Sequence, residues 1–414
     1  MSEWTTYQLG EITEWYSGGT PSKQKEEYWN GEIPWISARS LKGTRVSDSD
    51  LKITQEGLDN GSRLALKNDL LLLVRGSGLF NSIPISIVEK PVAFNQDIKA
   101  IRIKKEFDFI SPWFLLYWFY GNTRILNGIM EETGIGAGKF DLPLLKDLTI
   151  EIPPQKELEE LTKTFKSIDD KLILLQEQNQ TLEELAQTLF NRWFVDFEFP
   201  NENGEPYKSA GGKMIESELG EIPEGWQVGC LGDEFTILMG QSPAGSSYNE
   251  NKVGKVFYQG RTDFGFRFPT NRLYTTEPKR IASKFDVLVS VRAPVGDVNM
   301  ANEECCIGRG LGAVKSNLKS YCFNKIKSLK KSFDVFENEG TVFGSLSKND
   351  FNDLEIIIPD KQIAEQYDQV TFKMDLKILE NTNEIQLLTQ LRDTLLPKLM
   401  SGELTINQEA LKNV

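Results

Sequence analysis

The sequence contains no histidine. That absence excludes Ser-His-Asp and Cys-His catalysis, histidine acid–base chemistry and every metal site built on imidazole. Cysteine is scarce. Cys230, Cys305, Cys306 and Cys322 are the only ones, and no two are spaced Cys-x-x-Cys, which argues against a thiolate-only zinc site. They read as small buried hydrophobes in a reducing compartment. Long apolar runs are missing as well: no stretch of roughly 18 apolar residues occurs, so no transmembrane helix is expected. The opening MSEWTTYQLGEITEW has neither a basic start nor an apolar core, so it does not read as a secretory leader. The expected location is the cytoplasm.

What is present is an ordinary globular composition: 414 residues, 39% hydrophobic and 26% charged. That length suggests two or three domains. The net charge of −13 argues at first against nucleic acid, but its distribution is uneven. Residues 33–105 hold 12 Lys and Arg against 7 Asp and Glu, and residues 251–360 hold 17 against 13. Residues 151–200 hold 5 against 11. Two mildly basic blocks sit in an acidic frame.

Self-comparison reveals a tandem repeat. Leu9-Gly10-Glu11 recurs as Leu231-Gly232-Asp233 at an offset of 222, and Gly18-Gly19-Thr20-Pro21 recurs as Gly240-Gln241-Ser242-Pro243. At the same offset Trp35-Ile36-Ser37-Ala38-Arg39-Ser40 matches Phe257-Tyr258-Gln259-Gly260-Arg261-Thr262. Asp69-Leu70-Leu71-Leu72 matches Asp286-Val287-Leu288-Val289 at 217, each running on into an arginine, Arg75 or Arg292. From Gly134 the offset settles at 206, pairing Asp169 with Asp375 and Leu182 with Leu388. The shared order and steady offset identify two copies of one unit.

Each unit has a globular part and a long helix. The globular parts, near 1–150 and 223–358, mix strand-like runs (DLLLLV, SIPISIVE, VLVSV, LEIIIP) with turn signals (GGTPS, GSG, TGIGAGK, EGTVFG). The segment PWFLLYWFY reads as a core helix rather than a base-stacking platform. In the helical part, Leu158, Leu161, Phe165, Ile168, Leu172, Leu175, Asn179, Leu182, Ala186, Leu189 and Trp193 follow a 3-4-3-4 spacing, the a/d seam of a coiled coil. The second copy carries Ala364, Tyr367, Thr371, Met374, Ile378, Asn381, Ile385, Leu388, Leu395 and Leu399, with Arg392 breaking the stripe. About 39 residues give a helix near 58 Å.

An exposed seam needs a partner. Twofold-related units would set the two helices antiparallel. Opposing Asn179 to Asn381 then brings Leu175 to Ile385, Leu172 to Leu388 and Trp193 to Tyr367. A buried Asn pair sacrifices stability for register. Between the units, residues 197–226 are polar, Gly/Pro-rich and turn-heavy, and read as a linker.

Several chemistries are absent. GIGAGKF has the wrong spacing for a phosphate loop and lacks Ser or Thr after Lys139. There is no Asn/Asp-Pro-Pro-aromatic motif of adenine methyltransferases, no G-x-G-x-x-G loop and no Asp…Glu-x-Lys nuclease cluster. The residues read as a binding protein rather than an enzyme.

The segments LGEI…YSGGTPS…YWNGEIPWISARSL, FNRWFVDFEFPNENGEPYKSAGGKMIESELGEIPEGW and the late LRDTLLPKLMSGEL resemble the specificity subunit of type I restriction–modification systems. The resemblance spans nearly the whole chain. It implies an α+β fold: two similar mixed α/β target recognition domains separated by two long helices that form an antiparallel coiled coil, a pseudo-twofold tandem repeat. It places the first recognition domain at 1–152, the spacer helices at 153–196 and 359–401, the linker at 197–222, the second recognition domain at 223–358 and a tail at 402–414. It also implies double-stranded DNA with a bipartite site as ligand, and two modification subunits docked on the helices. Motor and endonuclease subunits would join the full complex. S-adenosylmethionine and ATP would be held by those partners, with no cofactor or metal in this chain and no catalytic residue. The physical reading agrees: a two-part protein suits a two-part site, a stiff rod would set the half-site spacing, and an acidic chain of pI 4.9 needs partners to supply phosphate-binding charge.

Base readers should be polar, loop-borne and in the basic blocks; Arg and Lys read guanine, Asn and Gln read adenine. In the first domain these are Thr20, Ser22, Lys23, Arg39, Arg75, Ser77 and Lys139. In the second they are Ser242, Ser246, Tyr248, Arg261, Arg267, Arg292, Arg309 and Lys348. The equivalence of Arg39 with Arg261 and of Arg75 with Arg292 singles out those four, as base readers or as backbone-positioning contacts. The competing readings are a bilobal coiled-coil scaffold that binds only protein partners, and a stand-alone methyltransferase.

Overall fold

The protein is described by a computed structural model covering residues 4–404 except 81, 135 and 339–343. The loop expected over EGTVFG, part of TGIGAGK and the tail after Leu404 therefore lie wholly or partly outside the described residues. The chain forms two compact units, one of residues 1–173 with 387–414, the other of residues 174–386. Among the described residues no helix is long and apolar enough to cross a membrane.

The first unit is built on a five-stranded sheet ordered Thr13–Ser17, Ile98–Ile103, Leu70–Leu73, Ile85–Val88 and Arg45–Val46. The LLLL strand is buried throughout, as an uninterrupted apolar run requires when both faces of a sheet are covered. A four-stranded sheet of Lys52–Ile53, Trp29–Ile36, Val92–Phe94 and Leu64–Ala65 lies in the same unit. The segment PWFLLYWFY forms the helix Pro112–Gly121, capped by Ser111, whose hydroxyl accepts from Trp113 N–H, with proline in its first turn. Phe114 to Phe119 are all buried, so this helix is core. Leu158, Leu161 and Phe165 of one long helix, and Leu396, Leu399 and Met400 of the other, belong to the same core.

The second unit repeats this construction. Its four-stranded sheet is Thr236–Met239, Leu311–Lys315, Val287–Ser290 and Val298–Met300. Its five-stranded sheet is Tyr248–Asn249, Leu273–Thr275, Lys255–Tyr258, Cys305–Ile307 and Ile281–Ala282. Equivalence reaches the level of register. Gln8 opposes Thr149 in the first unit, and the residues 222 and 206 further on, Cys230 and Glu355, oppose each other in the second. The glycines of the two turn motifs answer one constraint: a Cβ on Gly18 would collide with the Phe94 carbonyl, and one on Gly240 with that of Gly308. Cys305, Cys306 and Cys322 are buried.

The long helices are Gln155–Phe194 and Lys361–Met400. Within the second unit they run antiparallel. Asn381 donates its amide to Asn179 at 2.9 Å, Tyr367 donates its hydroxyl to the Ala186 carbonyl at 2.9 Å, and the Trp193 and Tyr367 rings lie 5.9 Å apart. Within the first unit Arg392, the residue that interrupts the apolar stripe, donates to buried Asp169 at 3.2 Å. The seam is more polar than its spacing suggests: Asp169, Glu183, Asp368 and Asp375 are also buried.

The segment read as a linker is ordered. It forms the hairpin Met214–Ser217 with Gly220–Pro223, and Phe199 stacks on Tyr207 at 4.6 Å and on Trp226 at 5.1 Å. The aromatics hidden among its polar residues bury Phe197, Phe199 and Trp226 in the core of the second unit.

Candidate nucleic-acid interface

Strand ends carry the candidate readers. In the first unit the buried strand Leu70–Leu73 leads into Arg75, which sits in a short strand opposite Lys139. Glu131 opposes Lys139 on the next strand, so Glu131, Lys139 and Arg75 stand in one cross-strand row with side chains on the same face, all exposed. Ser77 follows in an exposed 3-10 turn. Two cations side by side with one carboxylate at the edge form a surface suited to a phosphate backbone.

The second unit has the same backbone arrangement. Arg292 pairs with Ser345 in an isolated antiparallel bridge. Ser345 is 206 residues after Lys139, so the pairing is retained while the neighbouring cation is replaced by a hydroxyl.

Arg39 and Arg261 occupy equivalent turns and both line clefts. Arg39 is exposed in a cleft of about 560 Å³ with Ser37, Lys42 and Asp48. Arg261 is exposed in a cleft of about 440 Å³ that also contains Gln259 and Arg292. The structure thus brings Arg261 and Arg292 into one cleft. Arg261 makes an ion pair with Asp297 through its Nε. The turn beneath is held by Asp263, which is buried and accepts from the Gln259 N–H at 2.9 Å and from Arg272 at 3.0 Å.

The remaining residues are scattered on loops. Thr20 donates its hydroxyl to Gln96 at 2.6 Å, while Ser22 and Lys23 are exposed nearby in sequence. Ser242 accepts from the Arg309 N–H at 3.2 Å, which ties those two loops together. Tyr248 is half-buried and donates to the Pro243 carbonyl at 3.0 Å; Ser246 is exposed in the preceding turn. Lys348 is exposed in the first turn of a short helix capped by Ser347.

Arg267 corrects the sequence reading. Its side chain is 0% exposed, closed off from any base edge. Its guanidinium pairs with Glu183, lies 3.1 Å from Asp375 and sits 3.8 Å over the Phe323 ring. Burial pushes Asp375 up to about 6 even though Arg267 holds it down. Arg267 lies 222 residues after Arg45, which pairs with Asp170 and stacks 4.8 Å over Trp113. Both arginines fasten a globular part to a long helix of their own unit. The signal was available: a carboxylate repeated beside the seam, as Asp169 and Asp375, demands a cation once buried.

Sequence reasoning also passed over Asp297, which gives no periodic or motif signal, and Gln259. Gln259 is exposed and stands where the first unit has Ser37. The two equivalent turns share an arginine but differ in the residue two places before it.

Comparison with known proteins identifies the family. Residues 1–184 and 223–397 match the family model described as the type I restriction modification DNA specificity domain. The type I restriction enzyme MjaIX specificity subunit of Methanocaldococcus jannaschii is 27% identical over 432 residues, covering 98% of this chain and 94% of that protein. The EcoR124I/EcoR124II specificity subunit of Escherichia coli is 34% identical over 171 residues, covering 40% and 41%. In fold, the chain is similar to the crystal structure of the type I restriction–modification S subunit from M. genitalium, with a TM-score of 0.62, 16% identity and 96% of each chain covered. With the family model matched in both copies, the chain belongs to the type I restriction modification DNA specificity family: it is a target-recognition subunit, and the catalysis of such systems is carried by partner subunits.

Proposed function

We propose that this subunit reads a bipartite double-stranded DNA site, one half with each unit, and docks two modification subunits that methylate adenine. The observation that carries the reading is the shared strand pairing of Arg75 with Lys139 and of Arg292 with Ser345. The same arginine-bearing edge is built twice, while its neighbours differ, as expected of two readers of unlike half-sites. Docking is supported by apolar side chains left on the outer faces of the long helices: Leu174, Leu185, Leu376, Leu387 and Leu391 are all exposed. The partners hold S-adenosylmethionine and flip the target base, and motor and endonuclease subunits using ATP complete the complex. This chain binds neither cofactor and works in the cytoplasm.

Methylation sequencing of DNA from cells expressing the system tests this. The expected result is a modified-adenine motif in two parts separated by unread bases. A single continuous motif, or none, overturns it. A labelled duplex carrying the motif should be retained by this chain together with modification subunits, whereas a pure protein scaffold would leave it free.

A further inference from the structure

The Arg261 cleft distinguishes base reading from phosphate contact. We infer that Asp297 is a positioning residue that turns Arg261 toward a guanine edge and away from the phosphate backbone; this rests on the reading of the second unit as a DNA reader. Arg261 is 53% exposed and its Nε side is taken by the Asp297 carboxylate. A carboxylate on that side leaves the end of the guanidinium fork open, and the end of the fork is the part that meets guanine O6 and N7 together.

Charge decides which partner suits the pair. An arginine beside a carboxylate carries little net charge, so a phosphate gains less from it and is repelled by Asp297. Guanine O6 and N7 are neutral acceptors and suffer no such repulsion. The backbone that carries the carboxylate is itself fixed. Asp297 N–H donates to Ser290 Oγ at 2.9 Å, Ser290 N–H donates to the Asp297 carbonyl at 2.9 Å, and Ser290 Oγ donates to the Pro294 carbonyl at 2.8 Å. Asp297 is less exposed than the arginine it holds, 29% against 53%. A carboxylate carried on a fixed turn restrains a flexible side chain before binding, which lowers the entropy cost of a bidentate contact. Arg292, in the same cleft, makes no such pair with Asp297.

The test uses the complex with modification subunits, the cognate duplex, duplexes changed at each G·C pair of one half-site, and an unrelated duplex, over a range of salt. Asp297→Asn preserves shape and the backbone bonds of the turn, and thermal melting checks that it folds. The expected result is tighter binding of the unrelated duplex, a salt dependence steeper by about 0.9 in log–log slope, and roughly tenfold weaker discrimination at one G·C pair. Arg261→Ala should lose discrimination at that same pair while leaving the slope on the unrelated duplex unchanged. If Arg261→Ala abolishes discrimination but Asp297→Asn changes neither slope nor discrimination, the inference fails and the proposed function stands. If Arg261→Ala changes only the slope, Arg261 is a phosphate contact and the inference fails. If the wild-type complex shows no sequence preference at all, the proposed function itself fails.

Discussion

Arg267 lies 3.1 Å from Asp375, both fully buried, off the line of a hydrogen bond and completed by Glu183. The first unit has the same device in a more open form, with Arg45 on Asp170. The difference follows from one position in the helix seam. Arg392 supplies the cation for Asp169 in the first unit; its repeat counterpart is Ala186, so Asp375 must take its cation from the globular part. Removing Arg267 strands buried Asp375 and leaves Glu183 to Lys327 alone. Arg267→Met should destabilise the second unit by ~3–5 kcal/mol, read as a lower urea midpoint of the full chain. Adding Asp375→Asn, which removes the stranded charge, should recover most of that loss. Arg45→Met, at a half-exposed pair, should cost about 1 kcal/mol or less.

Asp375 also sets a pH dependence. Burial lifts it from 3.8 to about 6, so between those values the folded chain holds a proton that the unfolded chain has released. The stability it contributes is present below about pH 4 and is lost as pH rises through about 6. Urea midpoints of the wild type should therefore fall over that interval more steeply than those of Asp375→Asn, with the difference amounting to ~3 kcal/mol at most. Parallel curves would assign the titration elsewhere.

Among the described residues, Asn381 donates to Asn179 and to Gln178, and its Oδ1 is left unpaired. Replacing both with leucine should raise the melting temperature by removing a buried polar pair, worth ~1–2 kcal/mol. It should also allow the helices to slip, seen as extra products when cysteines are placed on opposite helices and crosslinked. Asn381→Leu alone should destabilise instead, since it strands Asn179.

Arg75 and Lys139 form a cationic pair on a rigid edge. If both meet phosphates, the double alanine variant should weaken binding of every duplex equally and flatten the log–log salt dependence by roughly 1.8. A loss confined to the cognate duplex would make them base readers.

Trp226 anchors the hairpin that enters the second unit, stacking on Phe199 and packing edge-on to Phe197 at 5.5 Å. Trp226→Ala should cost ~3–5 kcal/mol and expose 197–223 to limited proteolysis.

Much of this architecture was legible in the residues. A tandem repeat with steady offsets implies two copies of one fold, because identical spacing of apolar strands, turn glycines and helix seam satisfies the same packing twice. The 3-4-3-4 seam implied a helical partner, twofold-related copies implied antiparallel pairing, and opposing the two asparagines set its register. The core helix at 112 was legible because nine consecutive apolar or aromatic residues cannot be solvated. Partners in space were not legible. Whether an exposed-looking arginine such as Arg267 turns inward depends on carboxylates 84 and 108 residues away, and whether Arg261 is held by Asp297 depends on a turn formed by a different strand. Sequence periodicity reports which face of an element is buried; it carries no record of which distant charge arrives there. The sequence alone determined a duplicated reader with paired helices. Only the tertiary structure decided which cations are buried in ion pairs and which stay at the surface, because ion pairing is set by distances that exist once the chain has folded.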